Sequence, residues 1–291
     1  MGTGKKNIIS DSYWGGYFEP FQPKPSSKKG LRIALFGSTN AGHLVLDTLI
    51  RFERKNPNLL NFVGVATDDP LDPNTRINVG KRIWSKYDDE QTKALVDSMI
   101  SSSLSAGIPC FTGDVKTQGF RRIFSDWDPG IIIMCCFGQK IDAHIYNYPV
   151  YGMFNFHPSD LVSNIGAGPR PFEATIQRGE SKSFMALHKV NDIIDGGPII
   201  GISPPVRICL ENGEYPQNLL TMQEKIPAIC GWMSIELILQ TLRNMKQGLK
   251  KPVNEIDFAS VIPEEVRKIM LKPPTNDLNE YYALPLHPEL I

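Results

Sequence analysis

The stretch Leu31-Arg32-Ile33-Ala34-Leu35-Phe36-Gly37 decides the fold. A nearly unbroken apolar run of this length, closed by glycine, is the signature of a strand buried on both faces. Directly after it, Ala41 to Phe52 carries Leu44, Leu46, Leu49 and Ile50 at helical spacing, so strand passes to helix through one short turn. The pattern repeats outward: a strand over 61–67 ending at Asp68-Asp69-Pro70, a helix over 88–105, a strand over 107–111, a short helix over 120–127, then strands over 130–136 and 152–156. Strands alternating with helices imply right-handed crossovers and a mostly parallel, twisted sheet with helices on both faces, an α/β Rossmann-like fold. On such sheets ligands bind outside the carboxyl ends of the strands.

The flanks read differently. Residues 1–30 mix Tyr13, Trp14, Tyr17, Phe18 and Phe21 with Pro20, Pro23 and Pro25 without helical or strand period, and are expected to form an N-terminal arm. The arm either leads into the fold partly disordered or docks its aromatics on the domain or on a second subunit, so a homo-oligomer is open. Residues 31–205 are expected as one domain, with a helix over 171–178 and strands over 184–190 and 198–202. Residues 206–291 are expected as a short helical and Pro-rich extension: Ile226, Ile229, Trp232, Ile235, Leu239, Leu242 and Met245 mark a helix, and six prolines follow it.

With 31 Lys+Arg against 31 Asp+Glu the formal net charge is zero, so no polybasic surface for nucleic acid or anionic membrane is advertised. The five cysteines include an adjacent pair, Cys135-Cys136, inside an apolar run, which reads as reduced core thiols rather than a metal site. No stretch reads as a signal peptide or membrane span, and a cytoplasmic location is expected.

Three motifs carry chemistry. Gly37-Ser38-Thr39-Asn40-Ala41-Gly42 follows a strand and opens a helix but lacks the G-x-G-x-x-G spacing of a dinucleotide site; its amides could still face an anion. In Phe154-Asn155-Phe156-His157-Pro158-Ser159, Asn155 and His157 alternate out of the end of a strand and so point to one side. Asp195 precedes Gly196-Gly197 at the end of a later loop, which by itself is only a turn.

Together these residues resemble the folate-dependent formyltransferase family, which includes glycinamide ribonucleotide, methionyl-tRNA and sugar-amine formyltransferases. The resemblance covers residues 31–202 and rests on Asn155-Phe156-His157-Pro158-Ser159, Asp195-Gly196-Gly197-Pro198-Ile199-Ile200, Ala106-Gly107-Ile108-Pro109 and Trp127-Asp128-Pro129-Gly130-Ile131-Ile132. It implies a catalytic domain that takes the formyl group of 10-formyltetrahydrofolate to an amine. Asn155 and a protonated His157 would stabilise the oxyanion, and Asp195 would hold His157 charged and help move the proton. The resemblance also implies a pterin seat between Phe137, Gly138, Gln139 and Ile141 and the loop Val190, Asn191, Asp192 and Ile193, with no metal. His188 reads as structural.

Asp160-Leu161-Val162 departs from the Leu-Leu-Pro that follows His-Pro-Ser in many members, and Gly166 lacks the preceding arginine of the methionyl-tRNA enzymes. The expected acceptor is therefore a small-molecule amine, such as an amino sugar or nucleotide sugar. The alternatives are methionyl-tRNA as acceptor, water as acceptor in a 10-formyltetrahydrofolate hydrolase, and a non-catalytic folate- or nucleotide-binding module.

Overall fold

A computed structural model of the chain describes residues 4–8, 15–24, 29–72, 83–168, 170–275 and 284–291. Among these the strands are β1 (Gly4–Ile8), β2 (Gly15–Pro20), β3 (Leu31–Gly37), β4 (Leu60–Thr67), β5 (Cys110–Gly113), β6 (Ile131–Cys135), β7 (Met153–His157), β8 (Lys182–Ser183), β9 (Ala186–Lys189), β10 (Ile199–Ile202) and β11 (Val206–Arg207). The helices are α1 (Thr39–Lys55), α2 (Asp89–Ser105), α3 (Gln118–Trp127), α4 (Ala143–Tyr146), α5 (Pro171–Gln177), α6 (Leu220–Lys225), α7 (Cys230–Lys246), α8 (Phe258–Val261) and α9 (Glu264–Met270).

Nine strands form one sheet in the order β1-β2-β5-β4-β3-β6-β7-β9-β10. Its centre, β5-β4-β3-β6-β7, is parallel, and both wings are antiparallel. The chain leaves β3 first to one side, through β4 and β5, and then to the other, through β6 and β7. The crevice of this doubly wound sheet therefore opens between the carboxyl ends of β3 and β6.

Period-two alternation divides the core. Leu31, Ile33 and Leu35 of β3 join Ile131 and Ile133 of β6 and the buried faces of α1 and α7 on one side of the sheet. Ala34 and Phe36 join Ile132 and the α3 side chains Phe120, Ile123, Phe124 and Trp127 on the other. Gly64 of β4 is required by that packing, since a Cβ there would lie 2.2 Å from the Trp127 ring. Helix ends follow ordinary capping physics. Asp88 and Gln91 form a reciprocal capping box at α2, and Asp128, left-handed at φ 43°, ends α3.

Both flanks join the sheet or its core. No strand is expected within the arm, yet residues 4–8 and 15–20 supply the outer two strands of one edge, β2 pairing with β5. The main chain makes those bonds, so the side chains carry no alternating pattern to announce them. A Cβ at Gly15 would lie 2.5 Å from the Thr112 carbonyl oxygen, so the strand approaches too closely for a side chain there. Trp14, Pro25 and the aromatic Tyr13 lie outside the described residues. The helix expected in the C-terminal extension packs into the core: every residue from Thr221 to Ile238 is buried, and Ile226, Ile229, Met233 and Ile235 share one apolar cluster with β3. An apolar surface all round a helix is satisfied only by burial on every side. The strand expected over 107–111 begins at Cys110, because Gly107, left-handed at φ 74°, is spent in turning the chain after α2. No helix among the described residues is long and apolar enough to cross a membrane.

Candidate active site

Strand β7 presents Met153, Asn155 and His157 on one face, and β9 runs antiparallel beside it with His188 opposite Asn155. The loop after β9 then brings back Asp195, left-handed at φ 52°, a conformation that aspartate tolerates better than most side chains. Gly197 closes this turn where a Cβ would stand 1.7 Å from the Lys189 carbonyl oxygen, so no other residue fits.

The three polar groups converge. Asn155 Nδ2 donates to Asp195 Oδ1 at 3.2 Å and to His188 Nε2 at 3.0 Å. His157 Nδ1 stands 3.5 Å from Asp195 Oδ2, and its Nε2 lies 2.6 Å from the Gly166 carbonyl oxygen. The Gly168 amide donates to Asp195 Oδ2 at 2.9 Å. Asn155 and His157 are 6% and 7% exposed, which strengthens every electrostatic interaction among them.

Burial is the strongest influence on His157 and pulls its pKa below the ordinary histidine value; the Asp195 carboxylate and the Gly166 carbonyl push it up without reversing the shift. This corrects the expectation that Asp195 holds His157 charged: desolvation wins, and the resting imidazole is neutral at pH 7. Burial raises Asp195, but the His188 and His157 rings and the Gly168 amide outweigh it and leave its carboxyl below the usual range. The hydrogen bond from His157 to Gly166 places the proton on Nε2 and leaves Nδ1 as the basic nitrogen beside Asp195.

His188, read as structural from the sequence, is drawn into this cluster. Its Nδ1 lies 3.1 Å from the Lys189 carbonyl oxygen, which fixes the proton there and leaves Nε2 to accept from Asn155. Its place depends on the antiparallel pairing of β9 with β7, which the local sequence around His188 does not reveal.

The expected pterin segments also approach one another. Ile141 and Val190 are buried in one apolar cluster with Phe137 against it, while Ile193 is 61% exposed beside Ile194 at 57%. Hydrogen-bonding capacity is another matter. The Gly138 amide and the Gln139 side chain are committed to Asp68, the Val190 amide to the Met153 carbonyl oxygen, and Asn191 Oδ1 to the Ile193 amide. Asp192 is exposed and makes no such bond among those described. These donors and acceptors are thus engaged within the protein itself.

A Rossmann-like sheet with an Asn–His–Asp cluster at the carboxyl end of a strand defines the class, and the chain resembles the folate-dependent formyltransferases in sequence and in fold. It is 28% identical over 148 residues to the methionyl-tRNA formyltransferase of Rickettsia bellii (strain RML369-C), covering 50% of this chain and 45% of that one. To the methionyl-tRNA formyltransferase of Dictyoglomus turgidum (strain DSM 6724 / Z-1310) it is 27% identical over 238 residues, covering 80% and 65%. The chain therefore spans about half to two thirds of the length of these curated relatives. Among solved structures, glycinamide ribonucleotide transformylase 1 from Symbiobacterium toebii superposes with a TM-score of 0.54 over 75% of this chain and 90% of that one, at 14% identity, a likeness of fold. No family model matches the chain.

Proposed function

We propose that the chain transfers the formyl group of 10-formyltetrahydrofolate to an amine. The observation that carries this reading is the convergence of the Asn155 amide, the His157 imidazole and the Asp195 carboxylate on one buried point. Attack of an amine on a formamide carbon makes a C–N bond, develops an oxyanion and leaves a proton on the attacking nitrogen. Asn155 and the Nε2–H of His157 supply donors for the oxyanion. Asp195, with the basic nitrogen of His157, accepts the proton and returns it to the departing nitrogen as the old C–N bond breaks, so atoms and charge balance.

In the resting site these groups are engaged with the protein itself. Both N–H groups of Asn155 have partners, and the Gly166 carbonyl takes the hydrogen bond that His157 would offer a formyl oxygen. Substrate therefore exchanges with the loop 158–168 rather than entering a vacant cavity. Apo hydrogen bonds of this kind commonly rearrange in the substrate complex.

We take the acceptor to be a small amine. The zero net charge and the Ile165 that stands where the methionyl-tRNA enzymes carry an arginine both weaken the grip on a polyanion. The name of the curated relatives favours methionyl-tRNA as a second reading. Incubation with 10-formyltetrahydrofolate and a panel of amines, following tetrahydrofolate release, tests the proposal. Turnover that depends on an amine and vanishes in His157→Ala supports it. Turnover in buffer alone assigns a hydrolase, and steeply salt-dependent formylation of methionyl-tRNA replaces the small acceptor.

A further inference from the structure

Strands β8 and β11 pair antiparallel in a two-stranded sheet of their own, with Lys182 directly opposite Arg207. Residues opposite one another in such a pair send their side chains out on the same face, and like charges placed so destabilise the pairing. The Lys182 ammonium has no ion-pair partner among the described residues. Arg207 is engaged only by main-chain oxygens: Nε donates to the Cys209 carbonyl at 3.0 Å and Nη2 to the Leu210 carbonyl at 2.9 Å. These two bonds fix the guanidinium in place, and of its five N–H donors three remain for another acceptor.

Both cations line a cavity of about 350 Å³, and among the described residues no acidic side chain lines it with them. The wall also holds the Cys209 thiol and the Tyr215 hydroxyl. Burial pushes both groups above their ordinary pKa values, so they stay neutral at pH 7 and add no negative charge. Glu180 acts on Tyr215 from outside the lining, and Glu214 accepts from Asn212 Nδ2 at 2.7 Å. Two positive charges therefore face a cavity whose wall supplies no countercharge.

Size and charge together name the occupant. A cavity of this volume lies near the lower end of small-molecule pockets, and a phosphate group fills only part of it. Two cations match a group with close to two negative charges, which a phosphate monoester carries at pH 7 and a carboxylate does not. The free end of the Arg207 fork suits two oxygens of such a group, and the flexible Lys182 stem brings a point charge to a third. We propose that this cavity binds a small phosphate monoester between Lys182 and Arg207. The site shares no residue with the cluster of Asn155, His157 and Asp195 and does not depend on the formyl-transfer reading.

Glycerol 3-phosphate titrated into the full chain, with chloride holding the ionic strength constant, tests the site through the backbone amide shifts of residues 179–183 and 206–215 by NMR. Wild type is expected to show saturable shifts at those residues. Lys182→Gln changes an exposed side chain, so the fold should survive, and its affinity is expected to fall at least about tenfold, since a hydrogen bond to a charged group is worth more than one such factor. Acetate is expected to bind wild type at least about tenfold more weakly than the phosphate monoester. No saturable shift at those residues, an undiminished affinity in Lys182→Gln, or acetate binding as tight as the phosphate monoester overturns the proposal. Where Lys182→Gln does not fold, the wild-type comparison of the two anions decides by the same criteria.

Discussion

Replacing Asp195 by asparagine is the sharpest perturbation of the proposed chemistry. Asparagine keeps the shape, tolerates the left-handed backbone at φ 52° and retains one oxygen to accept from Asn155 or Gly168. The fold should therefore survive, with a loss of about 1–2 kcal/mol for the weakened hydrogen bonds to a buried group. What disappears is the negative charge 3.5 Å from His157 Nδ1. Removing a proton-transfer group costs about 10²–10⁴ in rate, which is about 3–5 kcal/mol of transition-state stabilisation. A second consequence is independent of turnover. Asp195 is the main influence holding the His157 pKa up against burial, so Asp195→Asn should lower it further. Tetrahydrofolate release measures the first effect, and the pH titration of the His157 ring proton by NMR measures the second. Asp195→Asn with near-normal turnover, or a His157 titration that does not move downward, would refute the reasoning.

Three other outcomes follow from the geometry. Because the folded His157 titrates below its unfolded value, the unfolded chain binds the extra proton first; stability should fall as pH drops below about 6.5. His157→Gln should flatten that part of the curve of melting temperature against pH. Gly64→Ala drives a methyl into the Trp127 ring and should destabilise by about 1–3 kcal/mol in urea unfolding, with an unchanged slope. His287→Ala leaves Glu236 buried without its 2.9 Å partner and should cost about 1–3 kcal/mol, read as a lower melting temperature.

The parts of the fold that could be read in the sequence are those where packing imposes a period. β3, but for Arg32 near its start, and β6 are apolar because both faces are covered, and the alternation of Asn155 and His157 survives because β7 ends facing the site. β1 and β2 escaped notice because main-chain pairing holds that edge strand without demanding a side-chain pattern. The burial of Asp68 was hidden for a different reason. Asp68-Asp69-Pro70 has the composition of a solvated turn, and only the closeness of Ser38 and Gly138, at the ends of two neighbouring strands, turns Asp68 into a buried, hydrogen-bonded carboxyl. Likewise, the chemistry of His157 was visible in its residue type, but its protonation depended on a burial that no local spacing encodes.

The register that sets His188 opposite Asn155 has a consequence for how such a protein can change. Asn155, His157 and His188 ride on two hydrogen-bonded strands and hold their mutual distances as a block, whereas Gly166 and Gly168 reach the same point from a surface loop. The loop can lengthen, shorten or be exchanged without disturbing the block, provided it still offers a carbonyl and an amide there at rest. Novelty in the molecule accepted can thus accumulate in the loop while the proton-handling groups stay in place. A transplanted loop from a relative with a different acceptor would be the natural way to redirect this chain.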